Sequence, residues 1–136
     1  MTYVLDDQVG FLLRQAHQRH TNLFAAMMME GLTPTQWAAL AKLREAGACS
    51  QNHLGRLTAM DAATIKGVID RLCARGFTAT RPDPADARRL LVELTPEGAR
   101  LYGKAAPLAE AITSRTMEPL NAEERTTFVS LLRRLT

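Results

Sequence analysis

At 136 residues, 46% hydrophobic and 23% charged, the chain is sized for one globular domain with a core and no separate ligand domain. A net charge of +3 with pI about 9.2 is too mild to mark a nucleic-acid binder by itself. No run approaches the ~20 apolar residues of a membrane span, MTYVLDDQVGF lacks the features of a signal peptide, and Cys49 and Cys73 are too few for a disulfide scaffold and lack metal spacing; a cytoplasmic protein with reduced thiols is expected.

The first predicted element is a long helix from Val4 to Met29, ended by Gly31. Val9, Leu12, Leu13, Ala16, His20, Leu23, Phe24 and Met27 recur at helical spacing on more than one face, as in a helix shared with a partner subunit. Thr33-Pro34-Thr35-Gln36 opens the next helix: Thr33 caps it, Pro34 takes the first position and Gln36 completes a capping box. That helix carries Trp37, Leu40, Ala41 and Leu43 and stops at Gly47. Ser50 caps a short helix with Leu54 and Leu57 inward and Gln51, Asn52 and Arg56 outward.

Thr58-Ala59-Met60 is a turn, and Asp61 caps a helix ending before Gly76. Ile65, Val68, Ile69, Leu72 and Cys73 form its buried face. Ala63, Thr64, Lys66, Gly67, Asp70 and Arg71 face outward, small and polar at the N-terminal end, as suits entry into a major groove. Asp70 is expected to pair with Lys66 rather than to meet phosphate. Gly67 costs about 1 kcal/mol relative to alanine, and has two explanations: close approach to DNA, or close packing on another helix.

Phe77–Arg81 alternates, as do Leu90, Val92 and Leu94, so two strands are expected around a protruding tip at Pro82–Ala87. Thr95-Pro96-Glu97-Gly98 opens a helix running toward Thr116, which Pro107 should bend or break. Asn121-Ala122-Glu123-Glu124 is another capping box, leading into Phe128, Leu131, Leu132 and Leu135.

Two short helices meeting at a tight turn, then a two-stranded hairpin, are the order of a winged helix-turn-helix. Residues 50–90 hold seven basic against four acidic residues, an excess equal to that of the whole chain. An enzyme reading finds little: Ser50 and His53 are neighbours on a cap, with no third group or glycine-rich cradle.

The wing, Asp83-Pro84-Ala85-Asp86-Ala87-Arg88-Arg89 followed by Leu94-Thr95-Pro96-Glu97-Gly98, resembles the D-x-x-D-x-R…L-T-x-x-G pattern of the multiple-antibiotic-resistance regulator (MarR) family of bacterial transcription factors. The helix DAATIKGVIDRLCARGF is similar to that family's recognition helix, and the likeness runs the length of the chain. One departure is Gly67, where relatives often carry a larger polar or basic residue.

The resemblance implies a mainly α fold with a small β wing: one domain over 1–136, with 32–95 the winged helix-turn-helix and 1–31 and 96–136 the dimerisation helices. It implies a homodimer on a palindromic double-stranded DNA operator, with no cofactor. Gln51, Asn52, Ala63, Thr64, Lys66, Gly67 and Arg71 are the expected DNA-facing residues of the two helices. On the wing, Arg88 would enter the minor groove, Asp86 would orient it, and Arg89 would meet phosphate. The effector implied is a small aromatic carboxylate or its coenzyme A thioester. Arg14, His17, His20 and Trp37, where the first, second and fifth helices meet, would combine stacking with a cationic grip.

Other readings remain for these residues. His17 and His20 at i, i+3 suit a metal but lack a third ligand, so core or interface histidines are simpler. Trp37 doubles as a core anchor, and Met27-Met28-Met29 as packing. A thiol sensor at Cys49 or Cys73, or a winged-helix module that binds protein instead of DNA, completes the alternatives.

Overall fold

A computed structural model describes residues 1–136. Six helices surround a small sheet: α1 Val9–Met27, α2 Pro34–Ala46, β1 Cys49–Ser50, α3 Gln51–Leu57, α4 Ala62–Ala74, β2 Thr78–Asp83, β3 Asp86–Leu94, α5 Pro96–Thr116 and α6 Ala122–Arg133. The sheet is antiparallel with β3 in the middle: Cys49 and Ser50 pair with Val92 and Leu91, and Thr80 pairs with Val92 from the other side. This is the mainly α fold with a small β wing that the sequence implied.

The caps act as their sequences require. The Thr33 hydroxyl accepts from the Gln36 amide while Gln36 Oε1 accepts from the Thr33 amide, both at 3.2 Å. Asn121 and Glu124 repeat the exchange at the start of α6 with bonds of 2.9 Å. Such caps are worth about 1 kcal/mol each. The core joins α2, α3, α4 and β3 through Leu40, Leu54, Ile65, Leu72 and Val92, each at most 1% exposed. It also takes in Leu101 and Ala105 of α5. The first half of α5 therefore packs into the same core as α2, α3, α4 and β3.

Several elements depart from expectation. The first helix begins at Val9, after a separate turn of 3-10 helix at Leu5–Asp7. Gln8 explains the break: its side-chain amide donates to the Val4 carbonyl at 2.8 Å, and its backbone N–H turns to Leu5 instead. The helix leaves at Met28, and Glu30 and Gly31 both adopt left-handed backbone, with φ of 57° and 60°. Strand β1 is unforeseen, because two residues show no periodicity.

The strands also reach further into the wing tip than Pro82–Ala87 allowed, leaving a two-residue turn at Pro84-Ala85. Pro82 is tolerated because β2 is an edge strand, and the register shifts between Pro82 and Asp83. Leu90 is exposed, since it lies beyond the part of β3 that meets the core. Pro107 does not break α5. The bond it removes would run to the Gly103 carbonyl, and both residues are exposed, so that group is left open to solvent rather than buried without a partner.

Helix α6 has no buried residue; Phe128, Val129 and Leu131 lie open on it, and Leu135 is exposed just past its end. Val9, Leu12 and Leu13 are exposed along α1. The apolar spacing of both helices thus marks faces that a single chain does not cover.

Candidate nucleic-acid interface

The helix-turn-helix is set by three local devices. Ser50 Oγ accepts from the His53 amide at 3.2 Å, fixing the start of α3. Thr58 Oγ1 donates back to the Leu54 carbonyl at 2.7 Å, closing that helix. Asp61 Oδ1 accepts from the Thr64 amide at 2.7 Å, and this bond holds its carboxyl below the usual range. Gly55 makes the crossing possible: an added Cβ would come within 3.2 Å of both Ile65 Cγ2 and the Met60 carbonyl. That close approach of α3 to α4 is invisible in the sequence.

Along α4, Ala63, Thr64, Lys66 and Arg71 are exposed and Gly67 is half-buried. Lys66 Nζ pairs with Asp70 Oδ2 at 2.8 Å across one helical turn, as the spacing predicted. No protein helix packs on Gly67. An added Cβ would meet only the Arg71 guanidinium, 3.2 Å away and one turn along the same helix. Gly67 makes room for Arg71 to fold back over the outward face.

At the wing, Asp83 Oδ1 accepts from the Ala85 amide at 2.9 Å and fixes the turn. Asp86 Oδ1 accepts from the Arg88 amide at 3.0 Å and from Arg88 Nε at 3.3 Å, while the Arg88 side chain remains 92% exposed. Thr95 joins this unit to α5: its N–H donates to the Phe77 carbonyl at 3.1 Å and its hydroxyl to the Gly76 carbonyl at 2.6 Å. Gly98 follows from the same contact, since a Cβ there would sit 2.0 Å from the Phe77 carbonyl oxygen.

Between α3 and the wing lies an open groove of about 600 Å³, lined by Gln51, Asn52, Arg56, Arg88 and Arg89. It gathers four of the DNA-facing residues named from the sequence; the α4 residues project separately. Arg56 belongs with them, and its outward position on α3 was the available signal. Arg56, Arg71 and Arg89 make no ion pair, so their guanidinium groups stay free for phosphate or base edges.

The four expected effector residues are less closely gathered. Arg14 and His17 lie on the exposed surface of α1, with the Arg14 guanidinium 5.5 Å from the Phe11 ring centroid. His20 Nδ1 is hydrogen-bonded to Thr116 Oγ1 at 2.9 Å, tying α1 to the end of α5. Burial, and secondarily His17, lowers the His20 pKa. Trp37 stacks on Tyr102 at 5.2 Å and 5°. That pair lines a cleft of about 420 Å³ with Ala106, Ala109, Glu110 and Thr113. The partnership of Tyr102 with Trp37 depends on how α2 and α5 pack, and no local pattern marks it.

Cys49 is buried, and burial pushes its thiol pKa up, against easy thiolate formation. Cys73 is half-buried with Sγ 3.2 Å from Thr78 Oγ1. No three His, Cys, Asp or Glu side chains converge to hold a metal.

Residues 32–90, from the start of α2 to the wing, match the MarR family. The chain is 43% identical to the HTH-type transcriptional repressor NicR of Pseudomonas putida over 134 residues, covering 98% of this chain and 85% of that protein. The chain belongs to the MarR family. Its members are DNA-binding transcriptional regulators, not enzymes, and this MarR-family chain is a transcriptional regulator. Among solved structures, a probable transcriptional regulator from Pseudomonas aeruginosa is 53% identical with a TM-score of 0.96, covering 98% of this chain and all of that one. Bordetella bronchiseptica BpsR, described in a mechanism for regulation of its DNA binding by 6-hydroxynicotinic acid, is 45% identical with a TM-score of 0.95, covering 99% and 97%. No helix of the chain is long and apolar enough to cross a membrane.

Proposed function

We propose that this MarR-family regulator is a cytoplasmic homodimeric repressor that binds a palindromic operator and is released by a small aromatic acid of the hydroxypyridine-carboxylate kind. The observation that carries the reading is the division of the chain into two unlike surfaces. Free arginines line the groove and wing at one end, and the exposed apolar faces of α1 and α6 need a second copy at the other. Residues 1–31 and 96–136 then serve as the dimerisation region, and 32–95 reads DNA. Two copies of α4 would enter successive major grooves ~34 Å apart. Gln51, Asn52, Ala63, Thr64, Lys66, Gly67 and Arg71 would face bases or phosphates, joined by Arg56, while Arg88, oriented by Asp86, enters the minor groove beside Arg89.

The effector assignment is supported by the likeness to BpsR and by the Trp37–Tyr102 stack. A cleft of about 420 Å³ suits a single-ring acid better than its much larger coenzyme A thioester. Arg14, His17 and His20 of α1 lie outside that cleft and would supply the cationic or hydrogen-bonding partners only if the acid reached across to α1. Release then requires the acid to bind the DNA-incompetent arrangement more tightly than the competent one.

Fluorescence anisotropy on the intergenic DNA beside the gene tests the whole reading. Two chains should bind per palindrome, with affinity falling steeply with salt. Millimolar 6-hydroxynicotinic acid should release them. Binding equally tight to unrelated duplex refutes operator recognition, and indifference to the acid refutes the effector.

A further inference from the structure

At the far end of the recognition helix one side chain reaches the α1–α2 turn. Arg75 Nη2 donates to the Glu30 carbonyl at 2.5 Å, lies 3.6 Å from the Glu30 carboxylate, and its guanidinium sits 5.0 Å from the Phe77 ring centroid. The Arg75 side chain is only 33% exposed, although it belongs to a surface turn. Glu30 has left-handed backbone, a conformation that a residue with a side chain seldom adopts and that aims its carbonyl at Arg75. No other side-chain hydrogen bond joins the α1–α2 turn to α3, α4 or the wing. The neighbouring Gly76 and Phe77 carbonyls are bound by Thr95 at the head of α5. Arg75, Gly76 and Phe77 thus form a node where α4 and the wing are tied to both long helices.

We propose that Arg75 is a positioning residue for operator binding: it latches the C-terminal end of the recognition helix to the α1–α2 turn and so sets the angle at which α4 meets DNA. Arg75 lies 11 residues from Thr64, or ~17 Å along a helix rising 1.5 Å per residue. A tilt of about 5° at the latch moves the DNA-facing end by roughly 1.5 Å over that length, enough to spoil hydrogen bonds whose useful range is a few tenths of an ångström. The guanidinium is suited to the task because it lies over the Phe77 ring while donating to Glu30. A lysine ammonium cannot do both. The inference rests on α1 and α5 anchoring a dimer.

The test compares Arg75→Ala, Arg75→Lys and Glu30→Gln with the unmodified protein, measuring operator and random-duplex affinity across a salt series, melting temperature and sedimentation. Arg75→Ala should bind the operator roughly 5- to 20-fold more weakly, a typical span for coupling between parts of a protein. Its affinity for random duplex and its salt slope should stay as they were. Arg75→Lys should recover less than half of the loss, and Glu30→Gln should stay near the unmodified protein because the backbone carbonyl remains. A salt slope reduced by about 0.9, with equal losses on both DNAs, would make Arg75 a phosphate contact and overturn the latch. Unchanged operator binding with a lower melting temperature would reduce it to a structural contact and also overturn it. Sedimentation separates the readings: an unmodified protein that is monomeric refutes the dimer, while the operator-to-random comparison still reports on Arg75.

Discussion

Gly98→Ala offers a test in which two physical effects have opposite signs. Gly98 is the third residue of α5, and alanine in a helix is ordinarily favoured over glycine by up to ~1 kcal/mol. Here the new Cβ would stand 2.0 Å from the Phe77 carbonyl oxygen and 2.9 Å from its carbon, whereas ordinary contact begins at 3.4 Å. The obstacle is backbone, so α5 and the start of β2 must separate by more than 1 Å. The Thr95 N–H bond to that same carbonyl, now 3.1 Å, is then lost, at about 1 kcal/mol. Forced repacking adds about 1–3 kcal/mol. Set against the gain from alanine, the expected net loss is roughly 1–4 kcal/mol, or a melting temperature lower by about 3–20 °C. Gly103→Ala is the control, for the same change in the same helix meets no atom within 4 Å. It should be neutral or stabilising by up to ~1 kcal/mol. Paired thermal and urea melts decide the matter. If the two variants shift stability alike, the close approach of α5 to Phe77 is refuted.

Other consequences are open to direct measurement. Arg88→Ala should weaken operator binding and flatten the log–log salt dependence by about 0.9; an unchanged slope would remove Arg88 from the interface. Trp37→Ala should blunt release by 6-hydroxynicotinic acid at least tenfold in effector concentration while leaving ligand-free operator affinity within about twofold, the pattern of a ligand contact; equal release would clear Trp37 of that role. Burial, aided by His17, sets the His20 pKa below histidine's ordinary 6.5, so its contribution to stability is whole above that value and is lost as the pH falls from there through the lower value of the folded state. Urea titrations between pH 8 and pH 5 should show a steeper loss for the unmodified protein than for His20→Gln, and parallel curves would contradict this.

The sequence was most legible where function depends on local chemistry. Caps at Thr33, Ser50, Asp61, Thr95 and Asn121 are written in single residues and their immediate neighbours, because each joins a side chain to an amide three positions on. The buried stripe of α4 and the Lys66–Asp70 pair follow from helical spacing alone. The Asp86–Arg88 pair, which the family resemblance implied, is just as local, spanning two residues.

What depended on tertiary structure was every feature that joins distant segments. One local device was also hidden: Gln8, four residues on, diverts a helix that periodicity would have carried back to Val4, because its side chain competes for a single carbonyl. Gly98 appears in the sequence as the last letter of a motif, and only the packing of α5 on Phe77 supplies its steric reason. Trp37 meets Tyr102 across 65 positions of chain, and Arg75 meets Glu30 across 45. Capping and helical periodicity act over a few residues and are encoded there. Stacking, latching and close backbone approach are set by how whole helices pack, which no local pattern of residues specifies.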